Sequence, residues 1–402
     1  MIATGFLPYQ FSENLCNAKL VFALREAGYE IDVISRHDEG CTYDSEWKTE
    51  WLPLKELTHT ITYPIGNMSG RLIDVIYSGV YMGGNFRAGV RWMRRACQKA
   101  CELMSEKHYD AIWTRSPSDL SHYVGKKLKE TTGIRWIANW NDPARPIWPR
   151  PYKIEMSPVE QKKEEKRVAE LLLAADVNTF PSDSLRCHFL KYFPFLADSA
   201  TVVVPHIGLS SRLFQRHSKA KTDIVTMVHS GNMSEERNPE NLFKAMKRLV
   251  DEGKTKFRLD IMGRPNSHTD ILIKKYGLQD YVRTIGSFTY LEAVGKLQDY
   301  DVMVLLEAIL EEGIFFASKF TDYAMTGKPI LAISPVKGFA HDMITRYNAG
   351  VAADNTSVDS IHDALNDIIS KNGSNEGYDS CQLYQSFAPE TVVDICNSIF
   401  NV

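Results

Sequence analysis

The sequence predicts an α/β protein built of two Rossmann-like βαβ domains facing across a cleft. Its 402 residues exceed what a single hydrophobic core usually serves. Apolar runs of strand length alternate with helix-length segments through both halves, the order that parallel sheets require. The alternation stops in a polar, irregular stretch over 208–222 and then restarts. The expected domains are 1–205 and 206–385, followed by a C-terminal helix over 386–402 that packs back on the first domain.

Ile2-Ala3-Thr4 reads as a very short first strand, with Gly5-Phe6-Leu7-Pro8 as its loop. An ordinary Rossmann strand is longer, so either this strand is short or the protein begins before this sequence does. A helix over Leu15–Ala27 carries Leu20, Phe22, Ala23, Leu24 and Ala27 on one face, stops at Gly28, and leads to a strand over Glu30–Ser35. Ligands bind where the first strand of such a sheet ends, and the loop there carries Ser12, Glu13 and Asn14. A dinucleotide enzyme would show three spaced glycines in this loop, and the sequence does not. Residues 40–70 have no sustained period and read as an irregular insertion.

Arg71–Glu106 is helical in pattern, with a break at Gly83-Gly84. It mixes Arg87, Arg91, Arg94, Arg95 and Lys99 with Tyr77, Tyr81, Phe86, Trp92 and Met93, and between 71 and 100 six basic residues stand against one acid, Asp74. Such a segment lies on an anionic membrane, grips an anionic acceptor, or is an ordinary helix with one core face and one solvated face. Tyr109–Arg115 is a strand ending at Ser116-Pro117-Ser118. Ile134–Ala138 is the next, and it delivers Asn139-Trp140-Asn141-Asp142-Pro143 to the same sheet edge. A polar cluster there suits a site, and an Asn/Asp-rich turn would look alike. Five prolines over 143–158 mark a loop covering the cleft. Val159–Ala174 is a helix of alternating charge, read as a solvated face. Ala175–Phe180 and Thr201–His206 are strands.

In the second half the strands are Asp223–His229, Phe257–Met262, Val282–Ile285 and Asp301–Leu306, with a helix over Pro239–Glu252. The first three end at Ser230-Gly231-Asn232, Gly263-Arg264-Pro265 and Gly286-Ser287-Phe288. Then comes Ser318 to Leu331, which reads as N-cap Ser318, a short helix, a left-handed stop at Gly327, Pro329, and a buried strand over Ile330–Ile333. The helix start attracts anions, Lys319 adds a cation, and Asp322 offers acceptors one turn in. A pyrophosphate beside a ribose needs those three together. An ordinary helix with a solvated Lys and Asp has the same composition.

Bulk properties narrow the function. The formal net charge of −3 argues against a general nucleic-acid binder. Seven scattered cysteines (16, 41, 97, 101, 187, 381 and 396) fit reduced thiols in a cytoplasmic protein better than a disulfide framework or a zinc site. No run approaches the ~18 apolar residues of a membrane span, and no signal peptide opens the chain.

With these pieces placed, the chain resembles GT-B glycosyltransferases of the family 4 type. The matching pieces are Phe6-Leu7-Pro8, Ala27-Gly28-Tyr29-Glu30, Val204-Pro205-His206-Ile207-Gly208, His229-Ser230-Gly231 with Arg237-Asn238, Met262-Gly263, Ile285-Gly286, and Ser318-Lys319 through Pro329. The resemblance implies retaining transfer from a nucleoside-diphosphate sugar, with the first domain on the acceptor side. Gly231 and Gly263 would admit the diphosphate, with Asn232 and Ser318 beside it, and Arg237 and Lys319 would stabilise it as it leaves. Asp322 matches the second carboxylate of the family's Glu-x7-Glu pattern and would hold the ribose, while Ser287 and Phe288 hold the base. The first carboxylate of that pattern falls at Ile314, so Glu311 or Glu312 would have to substitute. The arginine often found after the glycine is Asn232, and Ser12-Glu13-Asn14 replaces the usual glycine-rich loop.

Ser12, Asn14, Asn141 and Asp142 are the candidates for acceptor or sugar contacts. The expected activity needs no metal and no cofactor beyond the nucleotide sugar, and the acceptor is a carbohydrate or a lipid-linked group. The expected location is the cytoplasm, with contact at the inner face of the membrane through 71–100. A UDP-sugar 2-epimerase of the same fold and a non-catalytic nucleotide-sugar binder are the alternatives.

Overall fold

The computed structural model describes all residues except 40–45, 64–67, 83–88, 118, 215, 216, 218–221, 375, 401 and 402, and the side chains of 80 and 81. The Gly83-Gly84 break, Phe86, Arg87, Ser118 and Cys41 lie outside the described residues. The chain divides into two compact units. Unit 1 is Met1–Trp148, Ile154–Pro205 and Val393–Val402, and unit 2 is Pro149–Lys153 and His206–Val392.

Unit 1 holds strands β1 (Ile2–Ala3), β2 (Val33–Asp38), β3 (Thr58–Tyr63), β4 (Ala111–Arg115), β5 (Arg135–Asn139), β6 (Val177–Phe180) and β7 (Thr201–Val203). They form one parallel sheet in the order β3-β2-β1-β4-β5-β6-β7. Its helices are α1 (Ser12–Glu26), α2 (Met68–Met82), α3 (Val90–Glu106), α4 (Leu120–Thr132), α5 (Pro158–Ala174) and α6 (Asp183–Tyr192). The two-residue β1 is central and pairs on both sides, with Ile2 and Ala3 buried.

Three readings of this half are corrected. The stretch read as an irregular insertion contains β3 and a 3-10 turn over Thr49–Leu54. β3 pairs with β2 alone, so as an edge strand it alternates Thr with other residues and writes no apolar run. β2 begins at Val33 and runs through polar Arg36-His37-Asp38, because its register with β3 continues to Tyr63. The charged helix α5 is not simply solvated, since Glu164 and Arg167 are buried beside Val168, Leu171 and Leu172.

Unit 2 holds β8 (Val225–Ser230), β9 (Phe257–Met262), β10 (Val282–Thr284), β11 (Val302–Leu306), β12 (Ile330–Ser334) and β13 (Gly350–Asp354), all parallel in the order β10-β9-β8-β11-β12-β13. Its helices are α7 (Glu240–Asp251), α8 (Ser267–Lys275), α9 (Tyr290–Leu297), α10 (Lys319–Met325), α11 (Phe339–Tyr347), α12 (Val358–Ser370) and α13 (Ser380–Gln385). Two buried clusters make its core. One joins Leu242, Phe243 and Met246 of α7 to Ile361 and Leu365 of α12. The other stacks Phe316, Phe320, Tyr323, Phe339 and Phe387, with Phe316 and Phe339 centroids 4.1 Å apart. The sheet is thus covered on both faces, which its continuous apolar strands require.

The last helix, α14 (Pro389–Phe400), reaches unit 1 from Val393 onward. Cys396 and Ile399 are buried there, and the Phe400 ring lies 5.3 Å from Tyr29 and 5.7 Å from Trp113.

Candidate functional site

In unit 2 the strand order reverses between β8 and β11, and the carboxyl ends of these strands flank the crevice where open parallel sheets bind ligands. The chain leaves β8 at Gly231, whose φ of +132° suits glycine and strains other residues. A Cβ at Gly231 would run into the Lys319 ammonium, and one at Gly263 would fall 2.5 Å from the Gly231 carbonyl oxygen. Gly231 N–H donates to the Met262 carbonyl at 2.8 Å, and Asn232 Oδ1 accepts from the Arg264 N–H at 2.9 Å. The ends of β8 and β9 are thereby fastened together with bare backbone beside a cation.

Helix α10, which carries Lys319, is set by Tyr323. The buried Tyr323 hydroxyl accepts from the Ser230 N–H at 2.7 Å and donates to the Val304 carbonyl at 3.3 Å. Phe320 and Thr321 are fully buried on the same helix. Gly327 takes φ +70° after the helix, as expected of a left-handed stop. Ser318 is not the N-cap. It is already helical at φ −54° and ψ −34°, and its side chain makes no capping bond. The turn begins one residue earlier, where the Ala317 carbonyl accepts from the Phe320 N–H at 2.9 Å.

The carboxylate that acts most strongly on this cation is one the sequence reading does not name. Glu307 follows β11 directly, and Asn355 Nδ2 grips the Glu307 and Ala308 carbonyls at 3.3 and 2.9 Å. The Glu307 carboxylate lies over Gly313, where a Cβ would sit 3.5 Å from its Oε2. Ile314 is buried in the core, Glu311 is exposed and Glu312 is half-buried. The hint available in sequence was an acid placed directly after an apolar strand.

These charges shape one another. Burial pushes the Glu307 carboxyl up to about 7, against the pull of Arg237 and Lys319. Burial, reinforced by Arg237, lowers the Lys319 ammonium to about 7, while Glu307 and Asp322 oppose the shift. His229 is held well below its ordinary value by burial first and by Lys319 second. It is therefore neutral. Its Nδ1 donates to the Val304 carbonyl at 3.0 Å, which leaves Nε2 a buried acceptor with no partner among the described residues.

The remaining candidates of unit 2 fall around this centre. Arg237 is exposed, close enough to Tyr152 to hold down its phenol against the raising effect of burial. Asp322 is 8% exposed, and its Oδ1 accepts from the Tyr290 hydroxyl at 2.7 Å. Tyr290 opens α9, just after Ser287 and Phe288, so Asp322 and that loop form one side of the site. Ser287 is exposed, and the half-buried Phe288 ring has Lys296 Nζ 4.7 Å above it.

In unit 1 the reversal lies between β1 and β4. Asn141 Nδ2 donates to Glu13 Oε1 and to the Ser116 carbonyl at 3.1 Å, and its Oδ1 accepts from Arg115 Nη2 at 3.3 Å. Arg115 Nε donates in turn to Asn17 Oδ1, and all but Glu13 of these side chains are buried. Burial pushes Glu13 up to about 7, Arg115 opposes it, and Asp142 adds to it. Ser12 is exposed and Asp142 half-buried. Asn14 does not present itself to a ligand. It is buried, and its Nδ2 donates to the Phe6 carbonyl at 2.7 Å, tying down its own loop. Glu13, passed over as a candidate, stands in its place.

Two doubly wound parallel sheets, the second with glycine backbone and a lysine at its reversal, define the GT-B fold. Residues 211–381 match the family model for glycosyl transferases group 1. Sucrose-phosphate synthase from Thermosynechococcus elongatus aligns over 96% of this chain and 92% of its own, at 14% identity and a TM-score of 0.67. Anabaena Alr3699/HepE, solved in complex with UDP, aligns over 100% and 99% at 14% identity and a TM-score of 0.66. The lipopolysaccharide outer core galactosyltransferase WaaB, in its apo form, aligns over 100% and 98% at 14% identity and a TM-score of 0.62. At such identities the likeness is one of fold. No curated protein sequence matches the chain.

Proposed function

We propose that this protein is a retaining glycosyltransferase that moves a sugar from a nucleoside-diphosphate sugar to a hydroxyl of a glycan, lipid-linked or other acceptor. The observation that supports this most is the approach of Lys319 to the bare backbone of Gly231 at the β8/β11 reversal. A diphosphate needs close backbone and a preorganised cation, and both stand there. Lys319 and Arg237 stabilise the leaving nucleoside diphosphate. Gly231, Gly263, Asn232 and Ser318 surround it, Asp322, oriented by Tyr290, accepts from the ribose hydroxyls, and Ser287 and Phe288 hold the base. Glu307 takes over from the carboxylate missing at Ile314 and holds hydroxyls of the donor sugar.

As the bond from the anomeric carbon to the diphosphate breaks, the acceptor oxygen bonds to that carbon on the same face. The acceptor proton passes to the departing phosphate oxygen. Ser12, Glu13, Asn141 and Asp142 bind the acceptor. The two cations carry the diphosphate charge, so the activity is metal-independent and survives EDTA. The reaction takes place in the cytoplasm, at the inner face of a membrane where the acceptor is lipid-linked.

Thermal-shift titration with uridine, adenosine and guanosine diphosphates, followed by donor turnover, tests the reading. One diphosphate at 100 times its Kd should stabilise the protein by about 2.7 kcal/mol. The matching donor should slowly release that diphosphate. An isomeric sugar product would make the protein an epimerase, binding without turnover would make it a binder, and no response to any nucleotide would end the proposal.

A further inference from the structure

Helix α2 is turned inside out. Gly70, Asp74 and Ser78 face the protein and are buried, while Met68, Leu72, Ile73, Val75 and Ile76 are 41 to 87% exposed. These five make up a third of the exposed large hydrophobic side chains among the described residues, on one helix of 15. The inward acid is fully answered, since Asp74 accepts from the Tyr63 hydroxyl at 2.5 Å and from Arg91 Nε at 2.7 Å. Of the basic–aromatic segment expected over 71–100, Arg71, Arg94 and Arg95 face outward, but two of its apolar members do not. Trp92 and Met93 are core residues, and the outward apolar surface is the aliphatic stripe of α2. An apolar stripe of this size on a soluble chain marks a docking surface.

The surroundings say what covers it. Arg71, Arg94 and Arg95 are exposed on α2 and α3, and Arg94 Nη1 donates to Tyr77 of α2 at 2.6 Å. Met82, the last residue of α2, lines with Met93 a cavity of about 460 Å³ between α4 and α5. Five cations line it as well, Lys126, Lys127, Lys163, Lys166 and Arg167, against the acids Glu130 and Glu170. Arg167 is 8% exposed, its Nη2 lies 3.5 Å from Glu164, and its Nη1 is buried with no partner among the described residues. Glu164 is shared with Arg145 at 3.6 Å. A buried guanidinium N–H without an acceptor is costly, and Arg167 lines a basic cavity with room for a whole phosphate headgroup.

We infer that unit 1 docks on an anionic phospholipid bilayer. The outward face of α2 enters the boundary between headgroups and acyl chains, and the cavity at its end takes a lipid phosphate on Arg167 and the lysines around it. A second copy of the chain fits less well, because two such faces brought together by a twofold axis would set like arginine clusters against each other. The inference is independent of the glycosyl-transfer reading and can succeed where that fails.

Co-sedimentation of the full chain with vesicles tests it. Vesicles of phosphatidylcholine with phosphatidylglycerol should bind at least about tenfold more tightly than phosphatidylcholine alone, with the difference lost at high salt. Ile76→Asp and Leu72→Asp should each weaken binding to the mixed vesicles about tenfold or more. Arg167→Gln should weaken it about fivefold. Lys163→Ala and Lys166→Ala, at exposed positions where folding is not at stake, should do the same. Equal binding to both vesicles, or to neither, would overturn the inference. So would a dimer in light scattering that Ile76→Asp dissolves, or stabilisation by inorganic phosphate without any vesicle binding.

Discussion

At the β8/β11 reversal of unit 2 the chain presents Gly231, Gly263, Lys319 and Arg237, with Glu307 among the cations. At the β1/β4 reversal of unit 1 it presents Glu13, Asn141 and Asp142 around the buried Arg115. The two parallel sheets put polar loops at matching places in their topology, yet one centre is open backbone with cations and the other is a knot of carboxylates and amides. The fold fixes where a site stands, and the loop residues decide which chemistry it accepts. An oxyanion suits the first, and hydroxyl groups suit the second.

Lys319→Ala gives the largest expected separation between the two centres. Turnover should fall on the order of 10²–10³, because in the proposed transfer the diphosphate charge beside Lys319 grows in the transition state. Glu13→Gln should leave nucleotide affinity untouched. If calorimetry showed the Glu13 variant losing nucleotide, the two centres would not be separate. Next in size is Glu307→Gln, with turnover down roughly ten- to a hundredfold and free nucleoside diphosphate bound as well or better. In the proposed role the substitution takes away a sugar ligand and also a negative charge beside the diphosphate. Weaker binding of the free diphosphate would remove Glu307 from the role given to it. Asp322→Asn should weaken nucleotide binding about tenfold, near 1.4 kcal/mol, with a smaller change in kcat.

Titration sharpens the contrast further. Lys319 sits at about 7 in the free protein, and a bound diphosphate favours its charged form. Nucleoside-diphosphate affinity should therefore be full below 7 and fall as pH rises from 7 to 9, by up to about tenfold per unit. Lys319→Arg should flatten the profile. In unit 1 the shift is on an acid. Glu13 is raised to about 7, so the folded state keeps a proton that the unfolded chain releases near pH ~4.3. Its contribution to stability is full below that lower value and is lost as pH rises through 7. Melting should decline by a few degrees between pH 5 and 8, and Glu13→Gln should remove that slope while leaving the nucleotide profile unchanged.

What the sequence disclosed follows from burial. Central parallel strands such as β4, β9, β11 and β12 are covered on both faces and write apolar runs, whereas β3 at the sheet edge writes Thr-His-Thr-Ile-Thr-Tyr and reads as loop. Gly231, Gly263 and Lys319 stood out because backbone approach and a helix stop leave signatures in residue type. Glu13 left none and Glu307 only its place directly after an apolar strand, since a single carboxylate in a loop looks the same whether it faces solvent or a cation. Ser318 shows the reverse error. A serine before a helix invites a cap reading, and only the Ala317 carbonyl reveals that the turn has already begun. Periodicity was equally silent about α2, because an apolar stripe has one pattern whether it faces the core or the outside.

The path of the chain through α14 bears on how the protein is made. Unit 2 is contained within His206–Val392 apart from the short Pro149–Lys153, while unit 1 is finished only by Val393 and the residues after it. Synthesis therefore adds the residues that bring Cys396, Ile399 and Phe400 to unit 1 only after the other segments of both units have been made. Domains fold as units while synthesis proceeds at about 5–20 residues per second. Unit 1, although it contains the first residues made, keeps Tyr29 and Trp113 uncovered until the chain comes back to it.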